Sequence, residues 1–294
     1  MPMMTKTSSG IPEVTGFYHE PTSTVSYVVC DPTSQRCVVI DPVLDYDAPS
    51  GRVTTESAEA IAEFIDERGL ELERVLETHV HADHLAADRY FAERYGVPIC
   101  IGDQVGRVQL TFKEIYNLPE LPVDGSPFDK LMADGETFTV GGIEGEVVLT
   151  PGHTPSCVSY KIGDALFVGD LCFMPDFGTA RCDFPGGDAL MLYRSIQRVF
   201  RFPDETRFFT LHDYAPGGRP VAWESTVGEQ KKNNIQVGEG SDEEGFAKKR
   251  AEKDATLGMP GLILPAIQVN MRAGFLPEPE ENGQAYLKIP LNRF

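Results

Sequence analysis

The residues with the clearest chemistry in this chain are histidines and aspartates that follow one another in a suggestive order. They are His79, His81, Asp83, His84, His153, Asp170 and His212. Histidine is the commonest metal ligand in proteins, and carboxylates complement it. The set takes five of the six histidines and leaves out only His19. This clustering predicts a metal centre that performs chemistry rather than histidines scattered through the core and surface.

The spacing His-x-His-x-Asp-His places four candidate ligands on one short loop. On an extended backbone His79 and His81 can lie on the same side, and Asp83 and His84 then face a neighbouring position. The later ligands can complete either one metal site or two, with Asp170 as a bridge between the two. Spacing alone leaves both arrangements open.

Short strands precede the candidate ligands along the chain. Runs rich in Val and Ile, bounded by turn residues, predict strands over residues 25–30, 36–41, 72–77, 97–101, 137–140, 145–150, 157–161, 165–169 and 207–211. The histidine loop, His153, Asp170 and His212 each follow the end of one of these strands. Ligands on short loops at successive strand ends are how a rigid scaffold presents chemistry.

Amphipathic spacing predicts helices between these strands, over residues 55–68, 84–95 and 189–200. Further on, Ser241 and Glu244 have capping-box spacing for a helix that runs to about residue 255. Residues 258–270 are apolar but contain Pro260 and Pro265, which predicts a broken segment rather than one long helix.

The chain of 294 residues is long enough for one large domain or two small ones. Because the amino-acid composition of the chain changes after residue 220, we predict a catalytic domain over 1–220. We predict that residues 221–294 form a C-terminal extension that packs on this domain.

The composition of the chain argues against some classes of binding partner. A net charge of −19 argues against nucleic acid, because phosphate binding relies on clustered Lys and Arg. No apolar run has the length of a membrane helix, and the first ten residues lack the hydrophobic stretch of a secretory signal. The six cysteines contain no C-x-x-C pair, so we expect reduced thiols and a cytoplasmic location.

The ligand order resembles that of the metallo-β-lactamase superfamily over residues 15–220. The matching motifs are Asp41, His79-Val-His81-Ala-Asp83-His84, His153, Asp170 and His212. The resemblance implies an α+β fold, an αββα sandwich of two mixed β-sheets flanked by helices. It also implies that Asp41 orients a ligand histidine from outside the metal's own ligands.

Two glutathione-handling families of this superfamily fit the rest of the chain. His212-Asp213-Tyr214 is similar to the His-x-Tyr of glyoxalase II, whose tyrosine contacts glutathione. Arg250 and Lys253, followed by Met259-Pro260, are similar to the stretch of that family that binds the carboxylate of glycine. A charged side chain facing a carboxylate makes a stronger hydrogen bond than a neutral one does.

The loop after Asp170 favours the second family, the glutathione persulfide dioxygenases. Residues 178–187, which contain Arg181, Asp183 and two successive glycines, resemble the Arg-x-Asp-Phe-x-Gly-Gly loop of that family. The likeness extends over 151–160, which includes Thr154. The chain departs at Thr179, where animal members carry a cysteine, so the role of that thiol does not transfer.

The dioxygenase resemblance implies one Fe(II) per chain, held by His79, His153 and Asp170 in a facial triad with open positions. Glutathione persulfide and O2 would react there to give sulfite and glutathione. The residues expected to orient ligands and move protons are His81, Asp83, His84, His212 and Asp213. Those expected to bind substrate are Arg181, Tyr214, Thr154, Arg250 and Lys253.

Two other readings stay open. A glyoxalase II-like enzyme would use two metals to hydrolyse a glutathione thioester, and the full ligand set for that reaction is present. A non-catalytic sulfur-carrier module is less consistent, because structural metal sites are usually closed by Cys and His. Cys182 is the last cysteine of the sequence, so none follows it to act as the nucleophile of a rhodanese-like domain. We therefore expect a diffusible persulfide as substrate. We also expect no membrane partner, and the C-terminal extension allows a homodimer.

Overall fold

Two six-stranded sheets pack face to face in the computed structural model, which describes residues 10–293. The start of the chain, predicted above to lack a secretory signal, lies outside the described residues up to residue 9. The strands are β1 (Glu13–His19), β2 (Thr24–Asp31), β3 (Arg36–Ile40), β4 (Val43–Asp47), β5 (Arg52–Thr54), β6 (Glu71–Glu77), β7 (Leu85–Ala86), β8 (Ile99–Gly102), β9 (Lys130–Met132), β10 (Thr137–Val140), β11 (Ile143–Leu149), β12 (Val158–Ile162), β13 (Ala165–Phe167), β14 (Arg207–Phe209) and β15 (Glu224–Thr226). The α-helices are α1 (Glu56–Glu67), α2 (Asp88–Tyr95), α3 (Val105–Tyr116), α4 (Ala189–Val199), α5 (Val227–Asn233), α6 (Glu243–Asp254) and α7 (Ile263–Asn270).

Both sheets mix parallel and antiparallel strands. The first has the order β1-β2-β3-β6-β8-β9 and is parallel from β3 onward. The second has the order β10-β11-β12-β13-β14-β15, in which only β13 and β14 are parallel. Parallel neighbours end at the same edge, so the loops that follow β3, β6, β13 and β14 can meet there.

The inner faces of the two sheets form the main core. Tyr27 from the first sheet packs edge-on against Phe167 and Phe209 of the second, with ring centroids 5.3 and 5.6 Å apart. The outer face of the first sheet is covered by α1 and α2, and that of the second by α4. The chain therefore has the α+β, αββα architecture that its motifs predicted.

Most predicted strands lie within two residues of the observed ones, but the helix predicted over 84–95 begins too early. Leu85 and Ala86 instead form β7 beside β4, and the amide of Ala87 donates to Pro42 O (2.7 Å). These backbone hydrogen bonds hold the end of the histidine loop beside β4 and Pro42. The helix starts only at Asp88.

Two further differences lie in the C-terminal region. The cap of α6 is Asp242, whose carboxylate accepts from the amide of Gly245 (2.8 Å), rather than Ser241. Pro265 does not break α7, because it lies in the first turn, where no helical amide bond is needed. Outside the C-terminal region, sequence periodicity did not predict α3.

Residues beyond 220 contribute to the sandwich itself. β15 forms the edge of the second sheet beside β14, α6 packs on α4, and α7 packs on β7. The division at residue 220 stays a prediction. Within residues 10–293 no helix is both long enough and apolar enough to cross a bilayer.

Candidate metal centre

The candidate ligands converge at one edge of the sandwich, on loops that follow strand ends. The loop from His79 to His84 follows β6, His153 follows β11, Asp170 follows β13, and His212 follows β14. All five histidines of the candidate ligand set are buried: His79, His81, His84, His153 and His212 are at most 4% exposed. The predicted position of these residues after strand ends is therefore observed, and their role as metal ligands stays a prediction.

One group of ligands consists of His79, His153 and Asp170. One ligand atom from each lies within 4.8 Å of the other two, which is close enough to share one metal ion. His153 Nε2 is 3.5 Å from Asp170 Oδ2, and the rings of His79 and His153 are 5.1 Å apart, centre to centre. Two imidazoles and one carboxylate on one side of an ion form the arrangement typical of non-haem iron sites.

A second group consists of His81, Asp83 and His84, which also meet the 4.8 Å criterion. His212 adjoins it, with Nε2 3.3 Å from Asp83 Oδ2 and 3.4 Å from Asp170 Oδ1. Asp170 thus lies between the two groups and has one oxygen toward each. The geometry can hold one metal or two.

The chemistry of these atoms fits a cation. Six buried ligand atoms have no hydrogen-bond partner among residues 10–293, namely His79 Nε2, His81 Nδ1, Asp83 Oδ2, His84 Nε2, Asp170 Oδ1 and His212 Nε2. A buried polar atom left without a partner costs about 1–3 kcal/mol. Atoms of this kind concentrated in one place indicate a metal cradle.

Asp41 supports two of these imidazoles from behind. Its backbone φ is +48°, a left-handed conformation that Asp tolerates better than most residues. Its carboxylate accepts from the amide and the hydroxyl of Thr78 (2.7 and 2.9 Å) and lies 3.2 Å from His81 Nε2. The hydroxyl of Thr78 in turn lies 3.1 Å from His79 Nδ1. The expected role of Asp41 in orienting ligand histidines thus has a structural basis.

Burial favours the neutral form of two of the imidazoles, the form that binds a metal. It lowers the pKa of His84 to about 4 and that of His79 well below its usual value. Burial alone would raise the pKa of Asp83, but His212 and His84 hold it well below its usual range. His81 is the exception: burial opposes it, but Glu77, 2.8 Å from Nε2, and Asp41 raise its pKa. These carboxylates fix Nε2 as the protonated nitrogen and leave Nδ1 toward the cradle.

Three residues outside the ligand set hold the ligands in place. His153 Nδ1 donates to the carbonyl of Arg181 (2.8 Å), and His212 Nδ1 lies 3.2 Å from the carbonyl of Ser23. Asn270, on α7, donates to the carbonyls of His81 and His84 (2.9 and 2.7 Å). Its carbonyl oxygen accepts from the amide of Ala86 (2.8 Å), so every part of this side chain is used. Sequence reasoning missed Asn270.

A cavity of about 460 Å³ opens onto the ligands, a size that accommodates a tripeptide. We name it the substrate pocket. Among its lining residues are His153, Asp170, His212, Phe173, Phe177, Arg181, Tyr214, Lys253 and Thr22. Tyr214 stacks on His212 and Phe177 (5.8 and 4.6 Å between ring centres). The Nζ atom of Lys253 lies 4.9 Å from the centre of the Phe177 ring.

Four of the five predicted substrate-binding residues, Arg181, Tyr214, Arg250 and Lys253, line this pocket. Arg181 makes a bidentate ion pair with Asp183 (2.6 Å for both bonds) and donates to the carbonyl of Gly258 (2.7 Å). Its guanidinium therefore joins the loop after Asp170 to the C-terminal region.

Arg250 borders the same pocket, but its guanidinium is 1% exposed and pairs with Asp254 (2.9 and 2.6 Å). It also donates to the carbonyl of Thr179 (3.1 Å). Arg250 therefore does not lie on a solvated face of α6. Binding of a carboxylate by Arg250 stays a prediction, and its visible contacts brace the pocket wall.

Thr154 and Asp213 are not brought into the substrate pocket. The hydroxyl of Thr154 lies 3.0 Å from Cys157 Sγ, beside a much smaller cavity. The buried carboxylate of Asp213 accepts two bonds from Arg219 (2.7 Å each) and one from the amide of Ala222 (2.7 Å). These contacts hold the turn after His212.

Comparisons by family profile, by sequence and by structure each find proteins similar to this chain. A sequence profile of the metallo-beta-lactamase superfamily matches residues 19–212. The beta-lactamase hydrolase-like protein of Xylella fastidiosa is 53% identical over 281 residues, which cover 96% of this chain and 65% of that protein. The present chain therefore spans slightly less than two thirds of the length of that relative.

Two relatives of similar length carry different names. Glyoxylase B2 of Dictyostelium discoideum is 45% identical over 92% of this chain and 94% of its own length. The mitochondrial persulfide dioxygenase ETHE1 of Homo sapiens is 31% identical over 90% of this chain and 91% of its own length. The crystal structure of ETHE1 from Myxococcus xanthus has a TM-score of 0.72 and 29% identity, over 90% of this chain and 100% of that chain.

Proposed function

This chain belongs to the metallo-beta-lactamase superfamily, and we propose that it is an iron-dependent persulfide dioxygenase. The proposed reaction oxidises glutathione persulfide with O2 and water to sulfite and glutathione. We place it in the cytoplasm, with one Fe(II) per chain. The assignment of the chain to a superfamily of metal-dependent enzymes is independent of this finer proposal.

One observation carries the proposal: the loop that contains Arg181 is bonded directly to a candidate iron ligand. The carbonyl of Arg181 accepts from His153 Nδ1 (2.8 Å), so this loop fixes the direction of His153 Nε2. The loop also places the Arg181 side chain at the wall of the substrate pocket. The likeness to persulfide dioxygenases therefore includes residues at the site itself.

His79, His153 and Asp170 would hold the iron, and the fit rests on their unpartnered ligand atoms. When bound, ferrous iron supplies open positions at which O2 and a sulfur anion can be brought together. Asp83, His84 and His212 would surround the reacting groups with imidazole nitrogens and one carboxylate that can accept or orient protons.

The substrate pocket suits an anionic peptide thiol derivative. Lys253 has no carboxylate partner among residues 10–293 and presents its ammonium beside Phe177. Burial and the nearby charge of Arg250 lower its pKa. A substrate carboxylate would satisfy this charge, and Tyr214 offers an aromatic surface and a hydroxyl nearby.

Hydrolysis of a glutathione thioester is the second candidate, and a specific observation favours it. Asp170 has one oxygen near His153 and the other near His212, which is how a carboxylate bridges two metals. The more similar relative, at 45% identity, is called a glyoxylase. The two candidates differ in metal content and in the need for O2.

We therefore propose to purify the protein anaerobically, quantify bound metals, and assay it with glutathione persulfide and with a glutathione thioester. The dioxygenase proposal expects one iron per chain, O2 uptake matched by sulfite, and no turnover under argon. Full activity with zinc under argon, or two metals per chain with rapid thioester cleavage, would establish the hydrolase instead.

Replacing Arg181 with alanine should weaken substrate use while leaving iron in place. The substitution removes a charged side chain from the pocket but keeps the backbone carbonyl that bonds His153. A charge-assisted hydrogen bond contributes about 1.5–3 kcal/mol, so kcat/KM should fall about ten- to a hundredfold. Steady-state kinetics and iron quantification on the same sample measure both effects.

The matched control is Arg181→Lys, which keeps the charge but loses the planar fork. We expect a partial recovery of kcat/KM. Loss of iron from both variants would mean that the side chain holds the loop in place rather than binding substrate.

A further inference from the structure

His19, the one histidine outside the ligand set, is linked to the metal centre through the hydroxyls of Thr22 and Thr24, the second of which lies 3.4 Å from His212 Nδ1. His19 Nδ1 lies 2.7 Å from the hydroxyl of Thr22, which is 2.8 Å from the hydroxyl of Thr24. On the other side, His19 Nε2 lies 3.3 Å from Asp45 Oδ1. The amide and hydroxyl of Ser57 donate to the Asp45 carboxylate (2.8 and 2.7 Å) and fix it beside the imidazole.

This chain of groups connects two separate cavities. Thr22 lines the substrate pocket and also lines a second groove of about 500 Å³ on the other side. His19 and Asp45 line only the second groove, as do Asp47 and Arg52. The side chain of His19 is 12% exposed and that of Asp45 is 21% exposed, so the path ends at solvent.

The chemistry proposed for the metal centre requires such an exit. Oxidation of one persulfide, GSSH + O2 + H2O, gives GSH, sulfite dianion and two protons. Thioester hydrolysis at neutral pH also releases one proton with its carboxylate product. When a tripeptide fills the substrate pocket, water there is displaced, and protons need another route.

We infer that Thr22 and His19 form a proton relay from the substrate pocket to the second groove. The hydroxyl of Thr22 passes a proton to Nδ1 of neutral His19 and regains one from the pocket. His19 releases the proton on Nε2 to Asp45 and hence to solvent. Thr22 exchanges one O–H bond for another, the Nδ1–H bond of His19 forms, its Nε2–H bond breaks, and one positive charge moves outward. A flip of the imidazole ring then restores the starting form of His19. The inference rests on the proposed function only in requiring a reaction at the metal centre that releases protons.

The surroundings of His19 keep it able to accept a proton. Burial lowers its pKa, and Asp45 from β4 and Asp83 from the histidine loop oppose that effect. The second groove also places Asp47 and Arg52 near the imidazole. The imidazole is therefore neutral near pH 7, and acid conditions would block the relay by protonating it in advance.

The test compares turnover in weakly buffered and strongly buffered solution. For His19→Gln we expect kcat in weak buffer to fall about ten- to a hundredfold, with KM and iron content unchanged. Added imidazole should restore the rate, because a diffusible buffer replaces the missing relay. Thr22→Val should behave alike, whereas Thr22→Ser, which keeps a hydroxyl, should retain most of the rate. Arg52→Gln, in the same groove but outside the chain of groups, is the matched control.

Two results would overturn the relay. One is a wild-type kcat for His19→Gln in weak buffer, and the other is a loss that imidazole does not restore. ¹⁵N NMR of the iron-free protein gives a test that needs no turnover: Nε2 should carry the proton and Nδ1 should be bare. A proton fixed on Nδ1 would contradict the outward direction. Absence of both oxidation and hydrolysis in the wild-type enzyme would instead overturn the proposed function.

Discussion

Replacing His153 with alanine should remove metal binding and O2 consumption together. His153 offers Nε2 within 4.8 Å of the ligand atoms of His79 and Asp170, and it is 4% exposed. Without it, the remaining pair supplies only two of the three donors of a facial triad. A metal typically contributes several kcal/mol of transition-state stabilisation, so we expect activity to fall about a thousandfold or more.

The measurement is metal content per chain, taken beside sulfite production on the same anaerobic sample. Unfolding of the metal-free forms should be compared as well, because a folded but metal-free variant separates ligand loss from collapse. If the variant keeps a full equivalent of iron and its activity, His153 is not a ligand. The ligand assignment to this first group would then be wrong.

Phe184→Leu is the control for packing around His153. The Phe184 ring lies edge-on to the imidazole, with centres 5.4 Å apart, and supplies no ligand atom. Its replacement disturbs the same contact but leaves all three donors. We therefore expect this variant to bind iron, so that iron loss in both variants would point to a general loosening of the loop.

The ligands could be predicted from the sequence because each follows a short strand. β6 ends at Glu77 and β13 ends at Phe167, so His79 and Asp170 are two or three residues beyond a strand end. Strand periodicity and turn residues are local signals, which a sequence displays directly. The parallel pairing of β13 with β14 then brings distant ligands to one edge.

The groups that support the ligands could not be predicted in the same way. Arg250 and Asp254 lie four residues apart, and their spacing allows an ion pair on any helix. Their burial depends on packing against the loop that contains Thr179, which is 71 residues away from Arg250. The same limit applies to Asp213, whose role as a partner of Arg219 depends on the path of the turn after His212. A charged residue near a ligand can thus brace the site instead of taking part in it.

Asn270 is the supporting residue whose loss should have the second-largest effect. Asn270→Asp keeps the oxygen that accepts from Ala86 but replaces the amide that donates to the carbonyls of His81 and His84. A carboxylate oxygen would then face two carbonyl oxygens at 2.7–2.9 Å, which is repulsive. We expect metal affinity to fall about ten- to a hundredfold, the usual cost of losing a group that orients ligands.

Gln268→Glu provides a matched control on the same helix. Gln268 is as buried as Asn270, and its amide donates to the carbonyls of Leu264 and Lys288 (2.7 and 2.9 Å). Both substitutions remove an amide donor and add a buried negative charge, so both should destabilise the metal-free protein by a few kcal/mol. Only Asn270 contacts the histidine loop, and only its variant should lose metal affinity, measured by competition with a chelator. If both variants keep the metal affinity of the wild-type protein, the loop holds its shape without the Asn270 contacts. If both lose affinity equally, any disturbance of α7 reaches the metal. The discriminating outcome makes the C-terminal helix part of the metal centre, although the hydrogen bonds of Asn270 to this region span 184–189 residues of sequence.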